Sequence, residues 1–133
     1  MSNLTVALST SDGETLFDDH FGQAPLYLIA SLSADGVQVL GQVENPTAGT
    51  HDHGSHGDGG KAGSIGMVLK QQGVQVLAGR AFGGNIVKMR RKFAVALLSS
   101  TTAAEALTAL SINLDALRDL LAQGEERSHI NLR

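Results

Sequence analysis

The stretch Asp18-Asp19-His20-Phe21-Gly22-Gln23-Ala24-Pro25-Leu26-Tyr27-Leu28-Ile29-Ala30-Ser31-Leu32 joins a run of titratable side chains to a run of apolar ones. The second half reads as a strand over residues 25–32. Pro25 suits its first position, where a missing N–H does no harm. His20 then stands on a short link just before a strand, beside two carboxylates able to orient its ring. That is the usual setting of a ligand or proton-transfer histidine. The same residues also read as a solvated polar turn, with His20 merely capping the strand.

Working outward, residues 4–9 (Leu-Thr-Val-Ala-Leu-Ser) are short, apolar and partly alternating, which predicts a first strand, and Thr10-Ser11-Asp12-Gly13 is turn chemistry. Ala34-Asp35-Gly36 signals a hairpin into a third strand over 37–44, with Val37, Val39, Gly41 and Val43 opposite Gln38, Leu40, Gln42 and Glu44. Residues 45–60 contain no Val, Ile, Leu, Phe or Met, so they bury nothing and are expected to form a mobile surface loop. Beyond it, Ile65, Met67, Val68 and Leu69 predict a helix over 61–72, which Gly73 ends. A fourth strand is expected over 74–78, a second helix over 86–92 and a fifth strand over 93–98. A Ser/Thr cluster at 99–102 then caps a helix from Ala103 to about Leu110. Leu114, Leu117, Leu120 and Leu121 give a last amphipathic helix, closed by Gly124, and residues 125–133 are expected to fray.

The predicted order is β-β-β-α-β-α-β-α-α. Short links join the first three strands, and helices separate the later ones, which implies parallel crossovers. The expected assembly is an α/β fold with helices on both faces of a mixed five-stranded sheet, strand 2 antiparallel. It would form one domain over 1–124 with a tail at 125–133.

Composition narrows the functional classes. The chain has 133 residues, 42% hydrophobic and only 4% aromatic, so the core must be aliphatic. A formal net charge of -3 gives no reason to expect nucleic acid or an acidic membrane as partner. The sequence has no Cys, which rules out disulfides, thiolate-held zinc and cysteine-ligated iron–sulfur clusters. No segment approaches the ~18 apolar residues of a membrane span, and a soluble cytoplasmic protein is expected.

Three constellations could carry chemistry. His51, His53 and His56 share the 45–60 loop with Asp52 and Asp58; such tracts bind Zn, Cu or Ni, or are simply solvated. Gly57-Asp58-Gly59-Gly60-Lys61-Ala62 formally matches G-x-G-x-x-A but follows no strand, and it is not a P-loop either. Arg80, Lys88, Arg90, Arg91 and Lys92 are five of the ten basic residues. Gly83-Gly84 lies among them between a strand end and a helix start, where free N–H groups and Arg80 would favour an anion. The late cations read equally as ordinary helix C-terminal charges facing water. Enzyme readings fare poorly. Four of the predicted strands carry no carboxylates for a two-metal nuclease, and no nucleophile elbow G-x-S-x-G is present.

The run Asp19-His20-Phe21-Gly22-Gln23-Ala24-Pro25-Leu26-Tyr27, followed by a hairpin, Asn45-Pro46 and a His/Gly loop, resembles the dinitrogenase iron–molybdenum cofactor biosynthesis family. That family includes the NifX and NafY proteins, the C-terminal part of NifB proteins and the orange protein. The resemblance spans roughly residues 4–110. It implies a ribonuclease-H-like three-layer α/β/α fold without the nuclease carboxylates, and members that bind, carry or store metal–sulfur cofactors or their precursors. The family's cofactor-binding histidine falls on His20. Where many relatives have Gly-x-Gly-Pro after the fourth strand, this chain has Gly79-Arg80-Ala81-Phe82-Gly83-Gly84, without proline.

The expectation is therefore a non-catalytic carrier of a metal–sulfur cofactor, of iron–molybdenum or molybdenum–copper sulfide type, working with cofactor-assembly proteins. His20, Phe21, Gly22, Arg80, Gly83 and Gly84 would form the site, and His51, His53 and His56 an adaptable metal-binding lid. A domain sensing a small anion, or metal storage by the histidine loop, is the alternative.

Overall fold

The computed structural model describes residues 3–45 and 59–133. Its elements run β1 (Leu4–Thr10), β2 (Leu26–Ser33), β3 (Gly36–Glu44), α1 (Gly59–Gln71), β4 (Val76–Gly79), α2 (Ile86–Lys92), β5 (Ala94–Leu97), α3 (Ala103–Ile112), α4 (Leu114–Ala122) and β6 (Ile130–Asn131), with single 3-10 turns at Phe21–Gln23, Gly83–Asn85 and Gly124–Glu126. One sheet holds all six strands in the order β3-β2-β1-β4-β5-β6. β2 is antiparallel to β1 and β3, and β4, β5 and β6 continue parallel to β1. This is the mixed ribonuclease-H-like arrangement, with one strand more than the five expected.

Alternation along the strands sorts the core into two layers. On one face Val6, Leu8, Leu28, Ala30 and Leu32 pack with Ala106, Leu107 and Leu110 of α3 and Leu114, Leu117 and Leu120 of α4. On the other, Ala7, Tyr27, Ile29, Leu77 and Val95 pack with Ile65 and Leu69 of α1 and Met89 of α2. Each buried Leu or Ile contributes about 1.5–3 kcal/mol relative to exposure. The start of α3 is fixed by a capping box. Thr102 Oγ1 accepts from the Glu105 N–H at 3.2 Å, while Glu105 Oε1 accepts from the Thr102 N–H at 3.4 Å. Among the described residues no helix is long and apolar enough to cross a membrane.

Three expectations change. The alternation drawn for the third strand breaks at Leu40, because the pairing slips from Ala30↔Val39 to Ile29↔Gly41. Val39 and Leu40 are left exposed on the free edge, while Val43 reaches the α1/α2 layer. Asn45, assigned to the mobile loop, is 6% exposed and tightly bonded, and Gly59 already belongs to α1. The rest of that loop, with His51, His53 and His56, lies outside the described residues.

The third change is the tail, which docks rather than frays. Ile130 and Asn131 extend the sheet beside Ala96 and Leu97, and Ile130 and Leu132 lean on the α3/α4 layer. Arg127, 9% exposed, is its anchor. Its Nε and Nη2 donate to the carbonyls of Leu120 (3.1 Å) and Leu121 (3.0 Å) in the last turn of α4. Its Nη1 donates to Arg90 O (2.9 Å) in the last turn of α2 and to Phe93 O (3.4 Å). One guanidinium thus caps two helix C-termini, and their negative dipole ends, together with four carbonyls, compensate its charge.

Candidate functional site

His20 sits where the link after β1 meets the link after β4. It forms a parallel bridge with Ala81, and the Phe21 N–H donates to Ala81 O at 2.8 Å. The chain then makes the 3-10 turn Phe21–Gln23 and enters β2. The turn is held from below. The Phe21 ring is fully buried, stacked 4.9 Å from Phe82 at 11° and tilted 4.8 Å from Tyr27. The Tyr27 hydroxyl donates to Phe21 O at 2.6 Å. Asn45 Nδ2 donates to Gly22 O (2.9 Å), Ala24 O (2.8 Å) and Tyr27 Oη (3.2 Å). Burial raises the Tyr27 pKa above its ordinary value, so the phenol stays a neutral donor. Gly79 gives room for this packing, since a Cβ there would stand 2.5 Å from Ser9 Oγ and 3.4 Å from Phe21 Cδ1.

Above this floor His20 projects outward, its side chain 52% exposed. The neighbouring carboxylate does something different from what its position suggested. Asp19 Oδ1 accepts the His20 backbone N–H at 2.7 Å and stays 3.9 Å from Nε2, so it fixes the turn more than the ring. Asp18 is exposed. The ring faces Gly83: a Cβ there would lie 2.7 Å from Nδ1, 2.9 Å from Cε1 and 3.1 Å from Cγ.

Among the residues singled out from the sequence, His20, Phe21 and Gly83 come together around this ledge. Arg80 is next to the bridging Ala81, and its carbonyl accepts from Arg133 Nη2 at 2.6 Å. Positions 22 and 84 are open, with no atom within 4 Å of where a Cβ would stand. Of the late cations, Arg90 is half-buried against the tail, near His129 (Nη1 to Nδ1 3.4 Å). Among the described residues no three His, Asp or Glu side chains group to hold a metal ion. The sequence reading missed the anchors Tyr27, Asn45 and Phe82. The single tyrosine of the chain, set in an apolar run, and an Asn-Pro step closing a hairpin, were the available signals.

A protein-family model described as dinitrogenase iron-molybdenum cofactor matches residues 2–112. Among solved structures, an NMR structure of a Thermotoga protein described as NifB-like and placed in the DUF35 family shares 25% identity. The likeness covers 84% of this chain and 89% of that one, with a TM-score of 0.59. No curated protein matches the chain.

Proposed function

Because this chain belongs to the dinitrogenase iron–molybdenum cofactor family, we propose that it carries a metal–sulfur cofactor or its precursor as cargo, without catalysing a reaction on it. The observation that carries this reading is the His20 imidazole, half-exposed on a turn that four buried groups hold still. One imidazole supplies one coordination bond. That suits a preassembled cluster which brings its own sulfides, as any cargo of this cysteine-free chain must. In this reading His20 ligates the cluster, Gly22 lies beside it on the open side of the turn, Phe21 supports the turn from below, Arg80 and the Gly83-Gly84 turn offset its negative charge, and His51, His53 and His56 close over it.

The test is titration of parent, His20→Ala and a variant lacking the three loop histidines, with a copper–tetrathiomolybdate cluster and with free Cu(II). His20→Ala should abolish cluster binding with the fold intact. The triple variant should keep much of its cluster affinity and lose most Cu(II) affinity, because ordering a loop costs about 1–2 kcal/mol per residue. Parent-like cluster binding by His20→Ala overturns the assignment. Cluster affinity that tracks the loop histidines alone would point to storage instead.

A further inference from the structure

We infer that Gly83 is the positioning residue for His20: the imidazole lies face-down on the glycine, and the missing Cβ is what lets it lie there. The three contact distances are nearly equal, 2.7, 2.9 and 3.1 Å to Nδ1, Cε1 and Cγ, three consecutive ring atoms. A point that close to Nδ1 and almost as close to both its neighbours lies above the ring plane, over Nδ1, not in front of its edge. The ring face is therefore covered by the backbone of residue 83, and the rim that carries the nitrogens is left to point away from it.

Position 83 demands glycine twice. Its φ of +65° is the left-handed region, which other residues enter at a cost. Independently, any Cβ would collide with the ring at distances that real Cβ atoms do not occupy. Gly84 supplies the contrast, because a Cβ there meets nothing within 4 Å. The floor explains why the seat holds. His20 is tied to Ala81 by the bridge, and Phe82 is stacked on Phe21, so the two links cannot slide past one another to make room. A ligand whose rotamer is fixed before binding does not have to be ordered by its cargo. This role for Gly83 rests on His20 being the ligand, but the seat itself does not.

Two experiments separate the two. In the free protein the Gly83 Hα protons, lying under an aromatic face, should resonate upfield of the ordinary glycine range. They should return to it in His20→Ala, and an ordinary shift in the parent overturns the seat. For binding, copper–tetrathiomolybdate is titrated into parent, Gly83→Ala, Gly83→Asn and His20→Ala. Asn tolerates the left-handed backbone but carries a Cβ, so it isolates the collision from the backbone strain. Gly83→Asn and Gly83→Ala should weaken binding ~10–100-fold, the usual scale for losing the group that orients a metal ligand. Gly83→Asn should also move the His20 ring resonances of the free protein, because the added Cβ turns the imidazole off its seat. Parent-like binding by Gly83→Asn, or His20 ring resonances that do not move in it, overturns the inference. Parent-like binding by His20→Ala sinks the assignment of His20 as ligand, and the Hα shift then decides the seat alone.

Discussion

Asn45 and Arg127 do the same job in two parts of the molecule. Each is a buried polar side chain that gathers backbone carbonyls at the end of a turn or helix. Asn45 collects those of Gly22 and Ala24, and so holds the turn that carries His20. Arg127 collects those of Leu120, Leu121, Arg90 and Phe93, and so closes α2 and α4 under the tail. The difference lies in charge and in what stands above them. Arg127 is a cation placed against two helix C-termini, and what it holds is structure. Asn45 is neutral, a short distance from an exposed imidazole, and what it holds is a position. An amide fixes the turn without adding a charge beside the imidazole, which a guanidinium there would do.

The largest effect is expected at Arg127. Arg127→Met keeps much of the stem but takes the guanidinium donors from four carbonyls, of which Leu120 and Leu121 keep a bond from the Gln123 N–H. It should lower stability by about 2–4 kcal/mol, the loss from charge-assisted bonds less the relief of not burying a charge. Chemical denaturation measures it, and copper–tetrathiomolybdate affinity should stay within twofold of the parent. A large affinity loss in a still-folded Arg127→Met would break the division between structure and position. The test at Asn45 is the converse. Asn45→Leu should cost about 1–3 kcal/mol for the orphaned carbonyls of Gly22 and Ala24. It should also weaken cluster binding ~10-fold or more, because the turn beneath His20 loosens. A stability loss with unchanged affinity would make Asn45 no different in kind from Arg127.

The two residues also differ in how far the sequence revealed them. The two halves of the ledge each carry a local signal: His20, Phe21 and Gly22 precede an apolar run, and Gly83-Gly84 interrupts a strand–helix junction, while the contact between them spans a long separation. The helices and the five main strands were legible for the same reason, since Leu and Val spacing and the Thr102 cap are local signals. What was not legible depends on long separations. Arg127 pairs with carbonyls of residues 90 and 93, and nothing in Gly124-Glu125-Glu126-Arg127 marks the arginine as buried. The tail looked polar enough to fray because Ile130 and Leu132 are too few to show a strand's period. Asn45 was assigned to the loop because the residues that follow it are apolar-free. The slip at Leu40 hid in β3, whose exposed edge puts little constraint on register.

The smallest effect, and the sharpest probe of the ledge, concerns Tyr27. Its hydroxyl joins the two halves of the anchor, donating to Phe21 O at 2.6 Å and accepting from Asn45 Nδ2 at 3.2 Å. Tyr27→Phe removes a single neutral bond and should cost about 1 kcal/mol near neutral pH. The informative measurement is at alkaline pH. Burial raises the folded-state pKa of Tyr27, whereas the unfolded chain loses this proton near the ordinary tyrosine value of about 10. Above that pH the unfolded state binds fewer protons than the folded one, so this contribution to stability falls as pH rises. The chain has one tyrosine, so tyrosinate absorbance reports this group alone. In the parent the absorbance should rise together with the loss of folded signal, and part of the alkaline destabilisation should vanish in Tyr27→Phe. In Asn45→Leu, if the floor opens to water, tyrosinate should appear at lower pH while the protein is still folded. A parent that ionises at the ordinary value without unfolding would mean that the floor is already wet, and that His20 stands on a looser turn than its bonds imply.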